Sequence, residues 1–259
     1  MSSAREGDPL LSVRGVSYAY GHLQVLFDVS IEVPEQGRVC LLGTNGAGKS
    51  TLLNVISGLA RPTHGTVLFR GTDITSLRPD ERVQAGIGHI AGGRAIFPTG
   101  TVYENLKIGT YTFRRQPGLV KERIEEAIDL FPVLGQRLEQ KAGTLSGGEQ
   151  QMVALARAFI TGPTLLLADE LSLGLAPIIV QQVAAAIVEE IAKRGTTLLL
   201  VEQSLSVAFG MTDTAYFMER GQIRFSGSTE ELSSRQDLLR SVFLGADRGT
   251  SAVLAGSPS

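Results

Sequence analysis

The sequence predicts an α/β fold built on a buried, mostly parallel sheet, and three stretches carry that prediction. Val39-Cys40-Leu41-Leu42 is an apolar run of strand length that enters a glycine-rich loop and then a helical pattern with Leu52, Leu53, Val55 and Ile56. Thr164–Ala168 is a second apolar run, ending in the acidic pair Asp169–Glu170, and Thr197–Val201 is a third. The helical stretch Ile178–Lys193 separates the last two. Strands that are apolar on both faces and alternate with helices are buried between helical layers, which is the setting of a parallel sheet.

The remaining elements follow in order. Residues 11–33 alternate in strand fashion through Leu11, Val13 and Val16, then Phe27, Val29, Ile31 and Val33. The helix after the glycine loop closes at Gly58 and is broken at Pro62. Thr66–Arg70 reads as another strand, and Pro79 opens a short helix. From about 101 to 160 the pattern turns helical, near Val102–Ile108, Val120–Phe131 and Gly148–Ile160, with loops at Pro117-Gly118 and Ala142-Gly143. Short strands are expected near Ala215–Met218 and Gln222–Phe225. Residues 1–10 are expected to be flexible, 11–245 to form one domain, and the small, polar tail 246–259 to be disordered.

Composition narrows the classes. A chain of 259 residues with 43% hydrophobic and 19% charged residues suits a soluble globular protein, and a net charge of −2 gives no electrostatic reason to expect nucleic acid. No apolar run approaches the roughly 18–20 residues that cross a bilayer. Met1–Pro9 is polar without an apolar stretch, so the expected location is the cytosolic side. Cys40 is the single cysteine, which excludes an internal disulfide, and its apolar neighbours predict a buried, inert thiol.

Chemistry concentrates at two places. Gly43-Thr44-Asn45-Gly46-Ala47-Gly48-Lys49-Ser50 fits G-x-x-x-x-G-K-[ST], a cradle for nucleotide phosphates, with Thr51 following it. Backbone N–H groups surround the phosphates, Lys49 supplies a point charge to the β- and γ-phosphates, and Ser50 offers a hydroxyl to Mg²⁺. Asp169 and Glu170 stand at the end of a buried strand, where ligands of open α/β sheets bind. Asp169 suits Mg²⁺ coordination and Glu170 suits polarising an attacking water; the alternative is a solvated strand end.

The cradle, Leu145-Ser146-Gly147-Gly148-Glu149-Gln150-Gln151, and Ala168-Asp169-Glu170 together resemble the ATP-binding subunits of ABC transporters, from about Leu11 to Leu244. Further stretches are similar to the ATPases of branched-chain amino-acid importers, the LivF-like member of the pair. These are Phe97-Pro98 with Thr101-Val102 and Glu104-Asn105-Leu106, Ser172-Leu173-Gly174-Leu175-Ala176-Pro177, Val201-Glu202-Gln203 and Phe243-Leu244-Gly245-Ala246. Related importers of urea or amides share much of this pattern.

The resemblance implies an ABC-type phosphate-binding fold: a mostly parallel core sheet, an N-terminal antiparallel β subdomain and a helical subdomain carrying the Leu145–Glu149 signature. It implies two subunits closing head to tail on two ATP molecules, each held by one chain's cradle and the other's signature segment. Tyr20 resembles the aromatic that stacks on adenine, with Tyr18 as the competing candidate, and Gln203 occupies the switch position that is usually His. The implied partners are a second, related ATPase, two transmembrane permease subunits and, indirectly, a solute-binding protein. They place the chain on the cytoplasmic face of the cell membrane, with the permease groove near Gly92–Pro98 and the following helix. An ATP-binding regulatory partner that hydrolyses weakly is the alternative.

Of three departures, Gly92 and Gln203 bear on rate and Leu171 on loop stiffness more than on chemistry. Gly92 stands where a Gln or Glu is expected and has no side-chain oxygen to offer. Gln203 can donate to a phosphate but cannot take up a proton near neutral pH. Leu171 replaces the usual proline after the acidic pair. His22, His64 and His89 lie elsewhere and are expected on the surface or in loops.

Overall fold

The computed structural model describes residues 9–92 and 95–234. The expectations for residues 1–8, for Gly93 and Arg94, and for the tail with Phe243–Ala246 lie outside that range. Two sheets organise the chain. The first is antiparallel, in the order β2-β1-β4-β5, built from β1 (Leu11–Tyr20), β2 (Leu23–Val33), β4 (His64–Phe69) and β5 (Thr72–Asp73). The second contains β3 (Arg38–Leu42), β6 (Ile87–Ile90), β7 (Leu165–Asp169), β8 (Thr197–Glu202), β9 (Thr214–Glu219) and β10 (Gln222–Ser228) in the order β10-β9-β3-β8-β7-β6. All its pairings are parallel except β10 with β9.

Period-two alternation splits the interior into two cores, one on each face of the parallel sheet. Cys40, Leu42, Leu166, Ala168, Leu198 and Leu200 face one core, while Val39, Leu41, Leu165, Leu167, Leu199 and Val201 face the other. The first core also takes residues of α3 (Val102–Ile108), α4 (Pro117–Leu130), α5 (Pro132–Gly135), α6 (Gly147–Ile160), α7 (Pro177–Arg194), α8 (Leu205–Met211) and α9 (Thr229–Ser234). The second receives α1 (Lys49–Ser57) and the antiparallel sheet. The α2 helix (Pro79–Gln84) is tied to the end of α1 by Arg82, which is 1% exposed and donates to the carbonyls of Val55, Ile56, Thr75 and Leu77 at 2.6–3.1 Å.

Burial pushes the Cys40 thiol up to about 11, as an inert core cysteine requires. Two expectations need correction. Pro117 opens α4 instead of making a loop, because a proline at the first helical position loses no hydrogen bond and has its φ already set. His89 lies on β6, a four-residue edge strand, and its Nε2 is buried with no hydrogen-bond partner. Among the described residues no helix is long and apolar enough to cross a membrane.

Candidate active site

Strand register assembles the site. Leu42 of β3 pairs with Glu202 of β8, and Asp169 of β7 pairs with Val201 of β8, so three neighbouring strands end at one edge. The glycine loop, the acidic pair and Gln203 leave the sheet there together. Gly43 begins the loop where a Cβ would sit 2.2 Å from the Met218 carbonyl oxygen, so no side chain fits. Gly48, at φ 103°, turns the chain into α1, where no side chain caps the first N–H groups. Those free donors and the helix dipole favour an anion at this end of α1.

Lys49 is 4% exposed, and its Nζ donates to the carbonyls of Gly43 (2.8 Å) and Thr44 (3.1 Å). Burial lowers its pKa, and the carboxylates of Glu170, Asp169 and Glu202 oppose that. A cavity of about 320 Å³ is lined by Val25, Asn45, Gly46, Ala47, Gly48, Lys49, Ser50, Thr51 and Glu170. Burial raises the Asp169 pKa against hydrogen bonds from the Ser50 hydroxyl and the Gly92 N–H, and its Oδ1 has no partner. Glu170 adopts a left-handed φ of 49°, rare for a residue with a Cβ; its N–H donates to the Val201 carbonyl at 2.8 Å, and Gln203 Nε2 donates to its Oε1.

Other predicted residues lie apart from this cavity. Tyr20 is 51% exposed, meets Tyr18 edge to face with ring centroids 4.8 Å apart, and is absent from the cavity lining. Val25 lines it instead, and nothing in the sequence singled that residue out. Leu145, Ser146, Gly147, Gly148 and Glu149 are also absent from the lining; Ser146 is the N-cap of α6, Gly147–Glu149 form its first turn and Leu145 precedes it. Ser146 caps that helix: its Oγ accepts from Glu149 N at 3.3 Å, while Glu149 Oε2 accepts from Ser146 N and Oγ at 2.9 and 2.8 Å. Arg137 holds the same carboxylate at 2.9 Å.

The family model described as ABC transporter matches residues 26–172, more than half of the chain. The chain belongs to the ABC transporter family. It is an ATP-binding subunit of this family and hydrolyses ATP. It is 42% identical to the high-affinity branched-chain amino acid transport ATP-binding protein BraG of Pseudomonas aeruginosa, over 83% of this chain and 91% of that one. A probable branched-chain amino acid transport ATP-binding protein LivF of Archaeoglobus fulgidus is 39% identical, over 82% and 89%. Among solved structures, the ABC transporter cassette MJ1267 in its ADP conformation superposes with a TM-score of 0.80 at 29% identity, covering 92% of this chain and 99% of that one.

Proposed function

We propose that this ABC ATPase powers import of branched-chain amino acids through ATP-driven closure of two ATPase subunits. The common edge of β3, β7 and β8 carries the catalytic part of the reading, because it sets the cradle against the acidic pair. ATP lies with its phosphates on the backbone of Gly43–Ser50 and Thr51, Lys49 turns its ammonium to the β- and γ-phosphates, and Tyr20 approaches the adenine from the rim. Ser50 and Asp169 fit a hard divalent cation: they offer oxygen only, and Asp169 Oδ1 is buried without a partner. These two residues would hold Mg²⁺, which would supply neutralisation of phosphate charge. Glu170 orients and deprotonates the attacking water, and Gln203 holds Glu170 and donates to the γ-phosphate.

Leu145–Glu149 serve the partner subunit's ATP, which accounts for their distance from this chain's own cavity. Ser146 and the free N–H groups at the start of α6 form an anion site that a facing γ-phosphate completes. The partners are a related ATPase, two transmembrane permease subunits and a solute-binding protein, with the chain on the cytoplasmic face of the membrane. A groove of about 520 Å³, lined among others by Val83, His89, Ile108, Tyr111, Arg114 and Arg157, is the place for the permease. The BraG and LivF identities support the choice of solute.

Glu170→Gln tests the catalytic core: hydrolysis falls about 100-fold or more while ATP affinity is kept, the size expected for losing a general base. Equal hydrolysis in the two proteins sinks the assignment of Glu170 as the base. Loss of this chain's gene then abolishes uptake of labelled leucine, isoleucine and valine; loss of urea or amide uptake instead redirects the solute.

A further inference from the structure

One buried carboxylate near the site takes no part in binding or chemistry as described so far. Glu202 ends β8 at 1% exposure. Its Oε1 accepts from Ser172 N at 3.0 Å, and its Oε2 accepts from Ser172 Oγ at 2.8 Å and Gln203 N at 3.3 Å. Ser172 lies two residues after Glu170, and Gln203 is the residue whose amide holds the Glu170 carboxylate. The contacts close a ring: Glu170 to Gln203 through side chains, Gln203 to Glu202 and on to Ser172, then back along Leu171 to Glu170. Leu171, 3% exposed, anchors the return limb, and the Glu170 N–H is pinned to Val201. The left-handed backbone at Glu170 persists only where its surroundings over-determine it, and this ring supplies that constraint.

We propose that Glu202 is a positioning residue for ATP hydrolysis, a single carboxylate that ties the loop Leu171–Leu175 to the Gln203 end of β8 and thereby fixes the Glu170–Gln203 pair. Four donors converge on it, the Ser204 N–H being the fourth, and only an acceptor-only group satisfies them all. A glutamine of the same size turns an NH₂ toward at least one donor and leaves that donor unpaired. The negative charge has a second effect, because it favours the ammonium form of Lys49 across the sheet edge. The loop it holds carries Leu173, 61% exposed, so one carboxylate links an outward-facing loop to the general base.

The proposal rests on Glu170 as the base, and the test separates the two. The full chain and its Glu202→Gln, Ser172→Ala and double variants are compared by kcat and KM for ATP, fluorescent-ATP affinity and thermal melting, with Glu170→Gln as reference. Glu202→Gln lowers kcat about tenfold or more, the scale of lost charge-assisted hydrogen bonds, while ATP affinity stays within about twofold. Ser172→Ala, which removes one of the four donors, lowers kcat by about threefold at unchanged melting temperature. The double variant is no worse than Glu202→Gln alone, because both act through one clamp. Should Glu202→Gln fail to fold, Ser172→Ala carries the test. Full kcat in a folded Ser172→Ala, or losses that multiply in the double variant, overturns the proposal. Glu170→Gln hydrolysing like the unmodified chain overturns the assignment of Glu170 as the base instead.

Discussion

At the scale of single residues, the proposed cation role of Asp169 makes its neighbour Gly92 a point of test. Gly92 gives Asp169 a backbone N–H, and a Cβ built on Gly92 would come within 3.3 Å of Asp169 Oδ2. Any side chain there therefore shifts the carboxylate by a few tenths of an ångström, while a long one adds an oxygen close to the cation site. The two effects have opposite signs, and Gly92→Ala isolates the first. Gly92→Ala is expected to slow hydrolysis slightly through contact alone. Gly92→Gln, with the same contact and an added amide oxygen, is expected to turn over about threefold faster than Gly92→Ala, which is less than 1 kcal/mol at the barrier. Steady-state ATPase rates across a Mg²⁺ titration decide it. Gln at or below Ala means that the missing side chain does not limit the rate.

At the scale of elements, the stretch Phe97–Leu106 is a folding device. Thr101 and Glu104 exchange hydrogen bonds at 3.1 and 2.8 Å to cap α3. Asn105, 0% exposed, accepts from Phe97 N at 2.7 Å and donates to the Phe97 and Thr101 carbonyls at 3.0 and 2.8 Å. One amide thus fastens the segment that leads from the Gly92 loop into the helical region. Asn105→Ala leaves three backbone groups without that partner. It should destabilise the chain by about 2–3 kcal/mol in urea unfolding and speed amide exchange over residues 97–101. A loss under 0.5 kcal/mol, on the order of an ordinary surface change, would show that the loop is held by other means. The same scale explains what could be read in advance. β3, β7 and β8 are continuous apolar runs, and the cradle and acidic pair are chemistry contiguous in the chain, so both were legible. β6 was not, because Gly88 and His89 interrupt its four residues, and α8 and α9 are too short for a clear period. Val25 in the cavity and the Ser172–Glu202 clamp were equally hidden, since such partners meet only through sheet register.

At the scale of the whole molecule, the two cores meet across one sheet whose edge strand, β6, carries His89, with its Nε2 buried and without a hydrogen-bond partner. Burial lowers the His89 pKa from 6.5 to about 4. Asp80, Arg114 and Arg157 share its groove. Above pH 6.5 the ring is neutral in both the folded and the unfolded chain, and it makes no difference to stability. As pH falls below 6.5 the unfolded chain takes up a proton that the folded chain refuses, so stability drops until about pH 4, by about 3 kcal/mol in all. Asp169 and Glu202 act in the opposite sense, because burial raises their pKa and the folded chain binds their protons more readily. Total stability mixes these trends, so the histidine is isolated by difference. His89→Leu removes the titration and takes away an Nε2 that has no partner. The variant should gain on the unmodified chain by about 2 kcal/mol between pH 6.5 and pH 5 in paired urea unfolding curves. A stability difference that stays constant with pH would mean that His89 takes up its proton in the folded protein, and that the edge between the two cores opens to water.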